Sequence, residues 1–198
     1  MATNSVKLND VVQTAPSDLD PETTLQSLVA SHPVVADFRQ RPAVKESRSV
    51  LRINDEDLPN HLTCTTLAGS DMTGRPYVFT DDQAGSLLAF YHFGNKIAGH
   101  TGIVHGGIAG VLLDECMGRA CFPRLAGQIG VTAKLEIEYK NPILAQSEVL
   151  IRADTVEVQG RKAWVSGSIE DARDGKLLVK ATGLFIEPRW AADIPKVM

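Results

Sequence analysis

No run of apolar residues in this chain is long enough to span a bilayer as a helix. Cysteine is scarce: Cys64, Cys116 and Cys121 form no C-x-x-C pair, and an odd number cannot all pair within one chain. Reduced thiols are the expectation. Positive charge is not in excess either. Lys and Arg number 20 against 24 Asp and Glu, a formal net charge of -4, which argues against nucleic-acid binding and against a polybasic membrane surface. The chain carries no P-loop, no dinucleotide fingerprint and no zinc-ligand spacing, so neither a metal nor a bound redox cofactor is expected. The first ten residues lack both an apolar signal core and the arginines of a mitochondrial presequence. The last four, Pro-Lys-Val-Met, are no peroxisomal tripeptide, and the expectation is a cytoplasmic protein.

What is present is enough for one substantial core, with 43% hydrophobic residues in a chain of 198. Residues 1–48 read as an N-terminal arm, partly helical and partly disordered. Asp20-Pro21-Glu22 is a helix start, with a capping acid and proline in the first turn. Leu25, Leu28 and Val29 follow at helical spacing, Pro33 ends that helix, and a short second one is expected over Val34 to Arg39. Residues 49–198 read as the main domain. His61 to Leu67 and Leu87 to Phe93 are β-rich, with a loop between them at Gly69 to Gly74. Residues 105–121 contain no proline and are apolar nearly all round, which predicts a buried helix, ended by Pro123. Val131 to Lys140 alternates strictly and stops at Asn141-Pro142. Glu148 to Val158 is the next strand, and Lys162 to Asp171 with Lys176 to Glu187 form a hairpin about Asp174-Gly175. One buried helix followed by a four-strand antiparallel meander predicts an α+β fold, an antiparallel sheet wrapped around a long central helix.

The helix begins with His105-Gly106-Gly107. Glycines there bring other atoms close to the backbone, and free N–H groups at a helix start can hold developing negative charge. Close helix–sheet packing explains the same pair without any chemistry. Asp114 lies inside the buried helix, where an acid is costly unless paired or used. A bond to a neighbouring loop would satisfy it, and Glu115 is its rival.

His-Gly-Gly, an aspartate nine positions on (114 − 105), and the later strand Gly-Val-Thr-Ala-Lys-Leu-Glu-Ile-Glu-Tyr-Lys-Asn-Pro resemble the hotdog-fold acyl-CoA thioesterases. The likeness extends over roughly residues 60–187 and is nearest the phenylacetyl-CoA thioesterase-like branch. It implies hydrolysis of an acyl thioester to acid and thiol, coenzyme A entering only as part of the substrate. The oxyanion contact would map onto the Gly106-Gly107 backbone, and the general base or nucleophile onto Asp114. Nine helical steps turn roughly 900°, which puts Asp114 on the face opposite His105. Two facing helices could aim both at one carbonyl, in keeping with the family's active sites at dimer interfaces. A homodimer or tetramer is therefore expected.

The resemblance also maps a hydroxyl that orients the acid or the water onto Thr132. Yet Thr132 alternates in phase with Lys134, Glu136 and Glu138, the polar face, so an ordinary exposed threonine is the competing reading. His105 is expected to orient neighbours rather than to move protons. Some relatives carry an asparagine six positions before that histidine; Gly99 stands there here, with His100 beside it as a substitute. Lys140, Asn141, Arg161 and Lys162 are candidates for coenzyme A phosphates, although turn cations are commonly just solvated. A biosynthetic enzyme of another reaction type on the same scaffold, a dehydratase or one of other activated-acyl chemistry, and a non-catalytic acyl-binding module are the rival functions.

Overall fold

The computed structural model describes residues 20–191. The expected disordered tail and the chain ends read for targeting signals lie outside them. Helix α1, Pro21–Ser31, starts where expected: the Asp20 carboxylate accepts from the Glu22 and Thr23 N–H groups at 3.0 and 3.1 Å. Helix α2, Pro33–Arg39, follows with only His32 between them, and the His32 ring caps it by accepting from the Val34 N–H. Leu25, Val29, Val35 and Phe38 form a small core with Phe79, Leu88, Phe90 and Leu150.

Strand β1, Val44–Ser47, lies inside the segment read as the arm, yet it pairs with β2, Tyr77–Asp81, a strand that sequence inspection missed. The remaining elements are β3 (Ser86–Phe93), the short pair β4 (Ala98–His100) and β5 (Ile103–Val104), helix α3 (Gly106–Cys121), β6 (Val131–Tyr139), β7 (Ser147–Gln159), β8 (Lys162–Asp171) and β9 (Leu177–Ile186). Seven strands form one antiparallel sheet in the order β1-β2-β3-β7-β8-β9-β6.

Two expectations are corrected. The last four strands are not a simple meander: β7, β8 and β9 are, but β6 sits at the far edge beside β9. Burial explains the order. Val149, Leu150, Ile151 and Ala153 are all buried, as a strand covered on both faces requires, whereas β6 alternates and remains largely exposed. Residues 140–146 carry the chain across, and the Gln146 N–H bonds to the Phe93 carbonyl where β7 joins β3. The segment His61 to Leu67 is not a strand but a π-turn, Leu62–Thr66. Its backbone closes on itself instead: the Thr66 N–H donates to the His61 carbonyl, the Leu67 N–H to the Leu62 carbonyl, and the His61 ring accepts from the Cys64 N–H, while the Thr63 hydroxyl donates to Glu115.

The wrapped sheet and central helix match the α+β expectation. Leu112, Leu113, Cys116 and Met117 of α3 are fully buried against Val165, Ala181 and Phe185. Two glycines allow that contact. A Cβ on Gly167 would lie 2.7 Å from the Met117 sulfur, and one on Gly183 would lie 2.9 Å from its methyl carbon. Pro123 falls in a 3-10 turn, Phe122–Arg124, directly after α3.

Candidate active site

Asp114 is half-buried on α3, and the Thr132 hydroxyl donates to its Oδ1 at 2.7 Å. Alternation alone placed Thr132 on the polar face, and a bulge reverses that. Thr132 pairs with Phe185, but Lys134 pairs with Leu184 and Leu135 with Gly183, so Ala133 is an extra residue in β6. Thr132 thereby shares the helix-facing side with Leu135 and Ile137, which pack against the core. No subunit interface is needed to bring hydroxyl and acid together.

At the helix start the His105 ring is a cap, its Nδ1 accepting from the Gly107 N–H at 2.9 Å. The Gly106 N–H donates to no acceptor among the described residues, which leaves it as the free donor of the pair. Tyr139, which sequence reasoning passed over, donates from its hydroxyl to the Gly106 carbonyl at 2.8 Å. It ends β6 beside the helix start, and a Cβ on Gly106 would meet that hydroxyl at 3.1 Å. A Cβ on Gly99 would lie 3.0 Å from the His105 ring. Glycine at the family's asparagine position and the seat of His105 therefore go together.

The phosphate candidates are scattered. Lys140 is ion-paired with Glu138, and Asn141 donates to the Leu177 carbonyl at 2.7 Å. Arg161 donates to the Glu187 carbonyl at 2.8 Å, and Lys162 pairs with Ile186 at the start of β8. Val131 also pairs with Ile186, whereas Tyr139 pairs with Val179. Lys140 and Arg161 thus stand at opposite ends of the sheet, roughly 25 Å apart along β6. His100 is exposed on β4.

Glu115 points into a different environment, where burial pushes its carboxyl pKa up and the Asp114 charge adds to the effect, against the Thr63 hydrogen bond. The two helix thiols, Cys116 and Cys121, are fully buried. Burial pushes Cys121 up to about 12 and holds Cys116 well above its ordinary value. Among the described residues no three His, Cys, Asp or Glu side chains are grouped to hold a metal ion, and no helix is long and apolar enough to cross a membrane.

The thioesterase superfamily profile matches residues 101–178, from the loop before α3 into β9. A mitochondrial protein of Candida albicans without an assigned function is 35% identical over 75% of this chain and 70% of its own length. The chain belongs to the thioesterase superfamily and has its hotdog fold. The acyl-coenzyme A thioesterase THEM4 of Rattus norvegicus is 33% identical, over 51% of this chain and 43% of that protein. A solved thioesterase superfamily structure, 21% identical, superposes over 87% of this chain and 81% of its own with a TM-score of 0.53, a likeness of fold.

The cytoplasmic expectation is overturned by these relatives. The Candida albicans protein is mitochondrial, and MIOREX complex component 3 of Saccharomyces cerevisiae is 30% identical over 58% of this chain. Composition could not have made the distinction, because the folded domain carries no mark of its compartment.

Proposed function

We propose that this protein hydrolyses acyl-CoA thioesters to a free acid and coenzyme A, in mitochondria. The bond from Thr132 to Asp114 supports the reading most directly, because it aims a family-positioned carboxylate at one place. Asp114 takes a proton from water, the resulting hydroxide attacks the thioester carbon, and the Gly106 N–H stabilises the oxyanion. The C–S bond then breaks, and the leaving thiolate takes the proton that Asp114 accepted, which restores the carboxylate. The reaction consumes water and uses no cofactor beyond the coenzyme A of the substrate.

The working unit proposed is a homodimer. Gly106 and Asp114 are eight residues apart (114 − 106), roughly 12 Å along one helix, too far to touch one carbonyl together. Gly106 of one protomer and Asp114 of another would share it. Strand β6 offers the surface: it is an unpaired sheet edge with Val131 45% and Tyr139 55% exposed.

Free-thiol release from short, medium, long and aryl acyl-CoAs tests the activity. Turnover of at least one class is expected, and no release from any of them sinks the proposal. The orienting role of Thr132 has its own signature. Thr132→Ala should lower kcat/KM roughly tenfold, the scale of one hydrogen bond to a charged group, and Thr132→Ser should restore most of it. An alanine variant as fast as the wild type would remove Thr132 from the site.

A further inference from the structure

A cavity of about 450 Å³ opens on the Glu115 side of α3. Val50 and Leu51 give it apolar walls, and Thr63, Cys64, Tyr91 and Glu115 bring polar groups to it. Exposure orders these residues in depth. Tyr91 is 4% exposed and Glu115 half-buried, whereas Arg52 and Arg75 at the rim are exposed.

The inner groups are incompletely bonded. Tyr91 lines the cavity, and its hydroxyl is bonded to no group among the described residues. Burial pushes its pKa well up, with the neighbouring Cys116, Glu115 and Cys64 adding to the effect, so it stays a donor. Glu115 accepts from the Thr63 hydroxyl through Oε2, and Oε1 has no partner among the described residues. A plain alkyl chain filling this space would strip water from both groups and give nothing back, a cost that builds selectivity. A hydroxyl on the chain both accepts and donates. It can accept from Tyr91 and donate to Glu115, which an oxo group cannot do.

We propose that this cavity seats the acyl group of the substrate and selects a hydroxylated acyl chain, with Tyr91 and Glu115 as its specificity-determining residues. The assignment rests on the thioester hydrolysis proposed above, since Glu115 directly follows the proposed acid on α3.

The test compares acyl-CoAs of equal length, one unsubstituted and the others bearing a single hydroxyl at successive positions. For at least one position, kcat/KM should exceed that of the plain counterpart by about tenfold or more. In Tyr91→Phe that ratio should fall toward one, and Glu115→Leu should reduce it while Glu115→Gln keeps part of it. Equal kcat/KM at every position overturns the inference, and so does a ratio that Tyr91→Phe leaves intact. Thermal stabilisation by the free acids runs beside the kinetics. A hydroxy acid that stabilises the wild type more than its plain counterpart, with the difference lost in Tyr91→Phe, supports the cavity assignment even where no acyl-CoA releases thiol. That combination removes the hydrolase reading alone.

Discussion

Asp114→Asn is expected to fold like the wild type and to lose at least about 100-fold in thiol release, the lower range for removing a general base. The amide is isosteric, and its carbonyl oxygen still accepts the Thr132 hydroxyl that Oδ1 accepts now. It cannot take a proton from water or attack a carbonyl as a carboxylate does. Helix α3 buries Leu112, Leu113, Cys116 and Met117 around it, so the fold does not depend on this charge. Glu115→Gln serves as the comparison, because its carboxyl faces the cavity rather than Thr132. The expected order is a far larger loss at Asp114 than at Glu115. A folded Asp114→Asn protein with full turnover would remove the assignment, and a larger loss at Glu115 would transfer it to that residue.

The second large effect concerns stability toward acid. Glu148 of β7 has a side chain only 4% exposed, and it is held by the His92 ring at 3.2 Å and by Arg173 at 3.0 and 2.6 Å. Burial by itself would raise its pKa, but the bonds from His92 and Arg173 outweigh it, and the carboxyl stays below the ordinary value of 4.5. The sign follows from linkage. The unfolded chain takes up this proton near 4.5, so the contribution is fully present above that value. It is lost as pH falls through the lower folded value. Arg173 is itself 59% exposed, and water screens its share.

Glu148→Gln should therefore cost about 2 kcal/mol near neutral pH, by leaving His92 and Arg173 without a charged acceptor. It should also flatten the acid limb of stability below the glutamate range. Denaturant midpoints measured from neutral pH down to about 3 check both parts. A variant as stable as the wild type, with the same acid slope, would show that Glu148 contributes nothing to either.

Much of this molecule was legible from the order of its residues. The cap at Asp20, the helix start at His105, the proline stops, the Asp174-Gly175 turn and the apolar run of α3 are local signals, decided by near neighbours in the chain. The family resemblance put Asp114 and Thr132 into one hypothesis. Local pattern failed where competition between distant partners decided the outcome. The stretch His61 to Leu67 has strand composition, but its backbone closes in a local turn, and its Thr63 hydroxyl reaches Glu115, 52 residues on. Strand β6 reads as a neighbour of β7 because it precedes it, yet the doubly buried β7 belongs in the middle of the sheet.

The helix that carries Gly106, Gly107 and Asp114 and the α+β class were determined by the sequence alone, because periodicity and capping act over a few residues. Tertiary structure decided which way Thr132 faces, through one extra residue at Ala133 that no alternation pattern reveals. It also decided that Tyr139 locks onto Gly106, and that Tyr91, Thr63 and Glu115 meet around one cavity. Those contacts join residues far apart in the chain, and their geometry is settled only when the helix and sheet pack together.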